Sequence, residues 1–352
     1  MITLAIQPDN QLLTSGRYQS FSQRWVELAG TAGINVRLVD VYGGDLYPQL
    51  DGCNGFMWWF ARTPRIRQAG SRILPAVEHG LEIPVFPNWK TIWHFDDKVS
   101  QKYLLDAAGI PQPKTWIFWD KEQALQFCRT AKYPMVLKLA GGIVSENVRA
   151  VSTAHEAEYW ITKLFNAGLA NLWEWPPPSG LQKIRQRLGA TRRTLLGRTF
   201  IPYSERHEVQ RGYVLLQEFV PGNDYDTRIT VIGERAFAFR RFNRPGDFRA
   251  SGSGKIDWDH TQIDPGGVTL AFQVAQHLGT QSLAVDILRN PDGSLVMNEI
   301  SYYYEGWAVG TCPGHWTPRG EWQAGQMQPE DAIFNDFVSC VASHGNGRPA
   351  TS

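Results

Sequence analysis

Two carboxylates and a few cations are the residues of this chain whose types and spacing could do chemistry. Asp286 and Glu299 fall within apolar runs, 282–288 and 294–301, on either side of Asn290-Pro291-Asp292-Gly293. That pattern predicts a β-hairpin with one acid on each arm. Like charges at close range raise a pKa or demand a cation. A hard divalent ion such as magnesium would meet the demand, with phosphate oxygens and water completing its shell; acids turned to solvent on either side of the hairpin are the alternative. A period of two places Ser301 on the face of Glu299 and sends Asn298 to the opposite one.

The cations stand upstream. Lys138 closes the apolar run 133–138, where a lysine is costly to bury without an anionic partner. It leads into Gly141-Gly142-Ile143-Val144-Ser145-Glu146-Asn147 and a strand at 148–151. This predicts a hairpin whose tip either offers backbone N–H groups to a phosphate or is a plain tight turn. Within 214–249 an apolar strand ends at Gln217-Glu218, the loop Pro221-Gly222-Asn223-Asp224 follows, and a second strand carries Asp226 and Arg228 at alternate positions. Those two side chains leave one face together, either as part of a site, with Asp226 orienting Arg228, or as a surface ion pair.

These residues need elements to hold them. Residues 1–95 alternate strand-like pieces (ITLAI, VRLVDVY, GFMWWF, IPVFPN) with helical ones (SFSQRWVELAGTAG, RIRQAGSRILPAVEHG), the rhythm of a parallel sheet with helices on its faces. Such a lobe binds ligands at its strand ends. It has no Gly-x-Gly-x-x-Gly or Walker loop, so neither a dinucleotide nor a P-loop nucleotide is expected there. A helix is expected from 96 to about 105, with Asp96 as its cap and Lys98 in its first turn. Asp120 with Gln123, and Thr153 with Glu156, have capping-box spacing for two more. A further helix is expected near 268–277, after the glycine-rich loop 251–255.

The predicted fold class is α/β, with α+β character in the later lobes. An N-terminal α/β lobe (1–95) is followed by a central lobe (96–212), a last lobe with the acidic hairpin (213–342) and a flexible tail (343–352). The central lobe carries an insertion, 166–212, rich in arginine and lysine: Lys183, Arg185, Arg187, Arg192, Arg193, Arg198 and Arg206 surround a helical Leu181, Ile184, Leu188 spacing. A solvated basic face accounts for it, with a specific anion or nucleic-acid surface as the alternative.

A chain of 352 residues suggests two or three lobes, and 43% hydrophobic content with a net charge of +1 describes an ordinary globular protein. That balance provides no global reason to expect nucleic acid or a membrane surface as partner. No apolar run approaches the roughly 20 residues that span a bilayer, and MITLAIQPDN lacks a basic segment before a long apolar core, so a cytoplasmic location is expected. Cys53, Cys128, Cys312 and Cys340 are scattered and read as reduced, structural thiols. For most of the 14 tryptophans, core packing is the default.

Taken in order, GIPQPKT, YPMVLKLAGG, LLQEFVPGNDYDTR, GDFRASGSG and AVDILRNPDGSLVMNEIS resemble the ATP-grasp superfamily, in particular its carboxylate–amine ligases such as ribosomal-protein glutamate ligase, glutathione synthetase and D-alanine–D-alanine ligase. The resemblance is weak in the first lobe and strong from Asp96 to Gly306 outside the insertion. It implies a two-lobed nucleotide-binding fold after the N-terminal lobe. In it, Lys98 and Lys138 would hold ATP phosphates under the loop containing Ser145, Gln217 and the backbone of Glu218 to Val220 would meet the adenine, and Asp224 would take the ribose hydroxyls. Arg228, Lys138 and Arg249 would be catalytic, with Arg228 facing the γ-phosphate and the acyl group. Asp286, Glu299 and Ser301 would bind Mg2+, with Mn2+ as a substitute. The chain departs from the pattern at Ser301, where relatives have the asparagine of Glu-x-Asn, at Ser251 after Phe248-Arg249, and at Tyr302-Tyr303-Tyr304, where small residues are expected.

The activity implied is the ATP-dependent joining of a small carboxylate to an amine through an acyl phosphate, with the metal and cations neutralising the transferring group. Small-molecule acid and amine substrates are the partners implied, without nucleic acid or membrane; homo-oligomerisation is left open. Two rivals remain: phosphate transfer to an acceptor without ligation, and a nucleotide-binding regulator without turnover.

Overall fold

The computed structural model describes residues 2–9, 11–12, 18–142, 147–170, 172 and 208–345. The chain opens on β1 (Thr3–Ile6), passes a small ribbon of β2 (Gln11–Leu12) and β3 (Tyr18–Gln19), and continues through β4 (Asn35–Leu38), β5 (Gly55–Met57) and β6 (Val85–Phe86). The alternation of strands and helices yields the expected parallel sheet, in the order β4-β1-β5-β6. Helix Phe21–Thr31 is capped by the Ser20 side chain, which accepts from the Gln23 N–H, and buries Phe21, Trp25 and Ala29 at helical spacing. Trp58 and Trp59, just past β5, join that core, whereas Trp89 and Trp93 remain 40% and 37% exposed.

A second, antiparallel sheet is built from β7 (Thr115–Phe118), β8 (Met135–Lys138), β9 (Val148–Val151) and β10 (Val214–Glu218), in the order β7-β10-β8-β9. Alternation sends Met135, Leu137, Val214 and Leu216 under the helices Lys121–Thr130 and Ala154–Phe165, against Trp160 and Ile161. The opposite face turns Val136, Lys138 and Gln217 into a cleft.

The third sheet closes that cleft. It contains β11 (Tyr225–Ile232), β12 (Arg235–Phe242), β13 (Ile256–Asp257), β14 (Ser282–Arg289), β15 (Leu295–Ser301), β16 (Gly314–Trp316) and β17 (Trp322–Ala324), in the order β15-β14-β11-β12-β16-β17 with β13 on β12. One face lays Ile229, Val231, Ala238, Val285 and Ile287 in the core that also buries Val268 and Ala271 of helix Pro265–Leu278. The other packs Ile232, Phe237, Phe239 and Ala284 against the first lobe. By period two, Asp226, Arg228, Arg241 and Asp286 share this second face, so the charges sit where the third sheet meets the rest of the molecule.

Several expectations need correction. The stretch 214–249 forms three strands, and β10 and β11 lie in different sheets, so they flank the cleft from opposite sides. The helix expected from Asp96 begins at Lys98 and is capped by Asp97, whose carboxylate accepts from the Val99 and Ser100 N–H groups. Asp96 instead takes a left-handed backbone (φ 52) and accepts from the Gly142 N–H at 3.2 Å. The C-terminal helix Pro329–Gly345 returns to the first lobe, where the Trp25 Nε1–H donates to the Glu330 carbonyl at 3.1 Å and Arg24 pairs with Asp331 at 2.8 Å. Gly55 of β5 permits that approach, since a Cβ there would lie 2.8 Å from Val341. The predicted basic helix around 181–188 and residues 346–352 lie outside the described residues.

Among the described residues no helix is long and apolar enough to cross a membrane. All four cysteines are free; Cys53, Cys128 and Cys312 are buried, and burial pushes the Cys312 thiol up to about 12, which removes it as a nucleophile.

Candidate active site

Strand register assembles a ladder of charges. Arg228 stands directly opposite Asp286, Asp226 opposite Arg241, and Asp286 opposite Glu299. Opposite charges in facing positions attract, and the pairs are bidentate. Arg228 donates from Nε and Nη2 to the Asp286 oxygens at 2.7 and 2.8 Å, and Arg241 donates in the same way to Asp226 at 2.7 and 2.6 Å. Arg241 Nη2 also lies 2.7 Å from Asp286, which joins the two pairs. Asp226 therefore spends both oxygens on Arg241 and does not orient Arg228 directly, contrary to expectation. The sequence reading passed over Arg241; its place in FAFRRF, alternating with Phe237 and Phe239, was the available signal.

Burial sets the electrostatics and pairing decides them. Burial lifts the Asp286 carboxyl, but Arg228 and then Arg241 more than offset it and hold the group well below the usual carboxylate range. For Asp226, burial wins over Arg241 and the carboxyl is raised. Burial also penalises Lys98, yet the Glu299 carboxylate, 3.1 Å away, together with Asp96 keeps its ammonium raised. Glu299 answers in kind: burial lifts it, and Lys98 with Lys138 brings it below its ordinary value.

Lys138 projects from β8 across the cleft and donates to Asn298 Oδ1 at 3.0 Å. Burial pushes its ammonium down to about 8, with Glu299 resisting. Strict alternation had sent Asn298 away from this face. The ladder is broken there: Asp286 faces Glu299 but Ile287 faces Met297, so Asn298 is the extra residue of a β-bulge, and a bulge re-aims a side chain. Ser301, the expected third ligand, is engaged locally instead. Its hydroxyl donates to the Tyr303 carbonyl at 2.9 Å and accepts from the Tyr303 N–H, and it lines a different space.

Two spaces meet at this cluster. The narrow cleft between the second and third sheets is lined by Lys138, Gln217, Glu218, Val220, Asp286, Asn298, Glu299 and Arg249. Gln217 Nε2 donates to Thr115 Oγ1 at 3.0 Å, and the Glu218 N–H is engaged with the Lys114 carbonyl. Arg249 grips Asp247 at 2.6 Å and donates to the Val148 carbonyl at 3.2 Å. Asp224 faces a separate hollow beside Thr261 and Asp264; Gly222 and Asn223 of the same turn line the cleft in its place. Ser145 lies outside the described residues. On the far side of the ladder a cavity of about 870 Å³ runs from Lys98, Arg228 and Glu299 to Arg62 and Trp59 of the first lobe, roofed by Ser251-Gly252-Ser253-Gly254.

The donor set suits a hard divalent cation. Asp286 and Glu299 face each other across two strands with the Asn298 amide oxygen beside them, and here these oxygens are engaged by Arg228, Arg241, Lys98 and Lys138; among the described residues no group of three or more His, Cys, Asp or Glu could hold a metal ion. Magnesium takes one or two carboxylates and fills the rest of its shell with water and phosphate oxygens.

The cleft thus lies between two antiparallel sheets, with Lys138 on one wall and the facing acids Asp286 and Glu299 on the other. The RimK-like ATP-grasp domain matches residues 181–302, about a third of the chain. It is 25% identical over 213 residues to the alpha-aminoadipate–LysW ligase LysX of Sulfurisphaera tokodaii, a match covering 60% of each chain. It is 23% identical over 304 residues to a probable alpha-L-glutamate ligase of Cellvibrio japonicus, covering 81% of this chain and 85% of that one. The match thus spans somewhat less than two thirds of the first relative and most of the second. Among solved structures, a RimK domain ATP-grasp protein from Sphaerobacter thermophilus superposes with a TM-score of 0.53 at 18% identity, covering 96% of this chain and 99% of the other.

Proposed function

We propose that this protein is a magnesium-dependent ligase that uses ATP to activate a small carboxylate as an acyl phosphate and couples it to an amine. The observation that carries the reading is the meeting of cleft and cavity at one ladder: Lys138 and Asn298 face the cleft, Lys98 and Arg228 face the cavity, and Glu299 borders both. An acid in the cavity and a γ-phosphate in the cleft would meet there. The relatives named as ligases support the same class of reaction.

Each residue has work that follows from its position. Lys138, on the cleft wall, attracts phosphate oxygens. Lys98 and Arg228 draw the acid's carboxylate toward the phosphorus; Arg228, pinned by Asp286, keeps a fixed donor fork for charge that grows on the transferring group. Asp286, Glu299 and Asn298 would hold the magnesium ion, which neutralises phosphate charge when bound. The Ser251–Gly254 roof shields the acyl phosphate from water until an amine nitrogen attacks the acyl carbon, phosphate leaves and the ammonium proton is lost.

The test is phosphate release across a panel of carboxylates and amines, with products read by mass spectrometry. A new amide formed in step with ADP is the expected result. A phosphorylated product without amide would move the protein to phosphate transfer, and nucleotide binding without ADP would make it a regulator.

A pH dependence follows from Lys138. Phosphate binding favours the charged lysine, whose proton is held only to about pH 8 in the free protein. Above that pH binding must take up a proton, so affinity for an ATP analogue falls by up to about tenfold per pH unit. Lys138→Arg, which stays charged, flattens the profile. Calorimetric titrations between pH 7 and 9.5 check this; a wild-type profile as flat as that of the variant would refute it.

A further inference from the structure

Arg62 is the cation that the reaction scheme leaves unused. It follows β5, between the buried Trp58-Trp59-Phe60 run and Thr63, the residue before helix Pro64–Gly80. It thus stands at the carboxyl end of a parallel strand, the end at which such sheets take ligands. Its guanidinium lies 4.8 Å over the ring of Tyr303, and Tyr303 in turn packs on Trp59 at 5.7 Å. Side chain and support come from different lobes, so the stack forms only in the assembled fold.

The other cations of the cavity wall have carboxylate partners. Arg228 and Arg241 hold Asp286, and Lys98 holds Glu299. Arg62 has no carboxylate within 4.0 Å among the described residues and is half-buried. Burial lifts the Asp96 carboxyl, and Arg62 first and Lys98 next hold it down. A guanidinium stacked on one face keeps its N–H edges free, and those edges match a carboxylate bidentately. Arg62 lines the large cavity and not the nucleotide cleft, so a phosphate of the nucleotide is not its partner.

We propose that Arg62 binds a carboxylate of the substrate that does not itself react, so that the cavity selects a molecule bearing a carboxylate in addition to its reacting group. That carboxylate belongs either to a short dicarboxylic acid, with its other end at Lys98 and Arg228, or to an amino acid serving as the amine. The aromatic walls, Tyr42, Trp58 and Tyr303, would cover the carbon chain between the two ends. The inference rests on the ligase reading and adds the substrate class to it.

The experiment uses the full chain with magnesium and ATP. In one arm hydroxylamine is the nucleophile, and phosphate release is compared for butyrate and pentanoate against succinate and glutarate. In the other, pentanoate is the acid, and amino acids are compared with their amides as nucleophiles. Expected is at least a tenfold lower KM for the carboxylate-bearing substrate in one arm. R62Q should raise that KM tenfold or more while leaving the KM for ATP and for substrates without the extra carboxylate unchanged, and R62K should recover part of it. The arm that responds identifies the source of the carboxylate. No preference in either arm, or an R62Q effect equal on all acids or on ATP, overturns the inference.

Calorimetric binding of glutarate and of glutamate, with a non-hydrolysable ATP analogue present, separates this from the ligase reading. If nothing turns over but either ligand binds and R62Q weakens it tenfold, the subsite stands and the ligase reading falls. If neither binds to wild type, or R62Q lowers only the melting temperature, Arg62 is a structural stack and the inference fails.

Discussion

Arg228→Ala is expected to lower kcat by about 10²–10³ while ATP-analogue binding changes by no more than a few fold. The magnitude is that of losing one preorganised donor aimed at developing charge, about 3 kcal/mol of transition-state stabilisation. Arg228 suits such a role because Asp286, directly opposite it in the strand register, fixes its fork through two hydrogen bonds. A donor already held costs little reorganisation when charge appears. Nucleotide binding should survive because Arg228 lines the cavity, while the cleft is lined by Lys138, Gln217 and Val220. Arg228→Lys should remain impaired, since an ammonium cannot reproduce the bidentate pair. Steady-state phosphate release with calorimetry checks both parts, and turnover within threefold of wild type would remove Arg228 from the chemistry.

Arg241→Leu carries the largest expected stability effect. Arg241 is 7% exposed and serves two acids, Asp226 and Asp286, that are 6% and 3% exposed. Removing one member of a buried ionic cluster strands the rest and costs about 3–5 kcal/mol. Asp286 keeps Arg228, so the loss falls mainly on Asp226, which burial already raises. A carboxyl raised in the folded state binds more protons folded than unfolded, so stability falls as pH rises through its folded pKa. The Arg241→Leu deficit should therefore narrow between pH 7 and pH 5. Pairing the change with Asp226→Leu should recover much of the deficit, because apolar packing often replaces a buried pair at little cost. Urea denaturation at both pH values measures all three outcomes, and a single-variant loss under 1 kcal/mol would show that water reaches the cluster.

Local order was legible wherever period and punctuation agree. The hairpin 282–301 carries its turn residues between two apolar arms, and β14 and β15 form there with Asp286 opposite Glu299. The strand ending in Lys138 and its return at 148–151 pair antiparallel as expected, and Asp120 and Thr153 cap their helices because each precedes an apolar-periodic run. One cap was misassigned: Asp96 and Asp97 are adjacent and alike in sequence, and the choice depended on Gly142, distant in the chain, reaching Asp96.

What the sequence determined by itself is the inventory: strands of period two, helices of period 3.6, lysines and acids at the ends of apolar runs, and an order of motifs similar to that of ATP-grasp proteins. Only the tertiary structure decided which charge answers which. Arg241 joins Asp226 to Asp286 because β12 and β14 flank β11; Asn298 enters the cluster because a single bulge breaks the alternation; Arg62 stacks on Tyr303 because two lobes meet. Periodicity is a property of one strand, whereas register, bulges and contacts between lobes depend on partners distant in the chain, and a pair of charges separated in sequence has an energy only once the fold has set their distance and their burial.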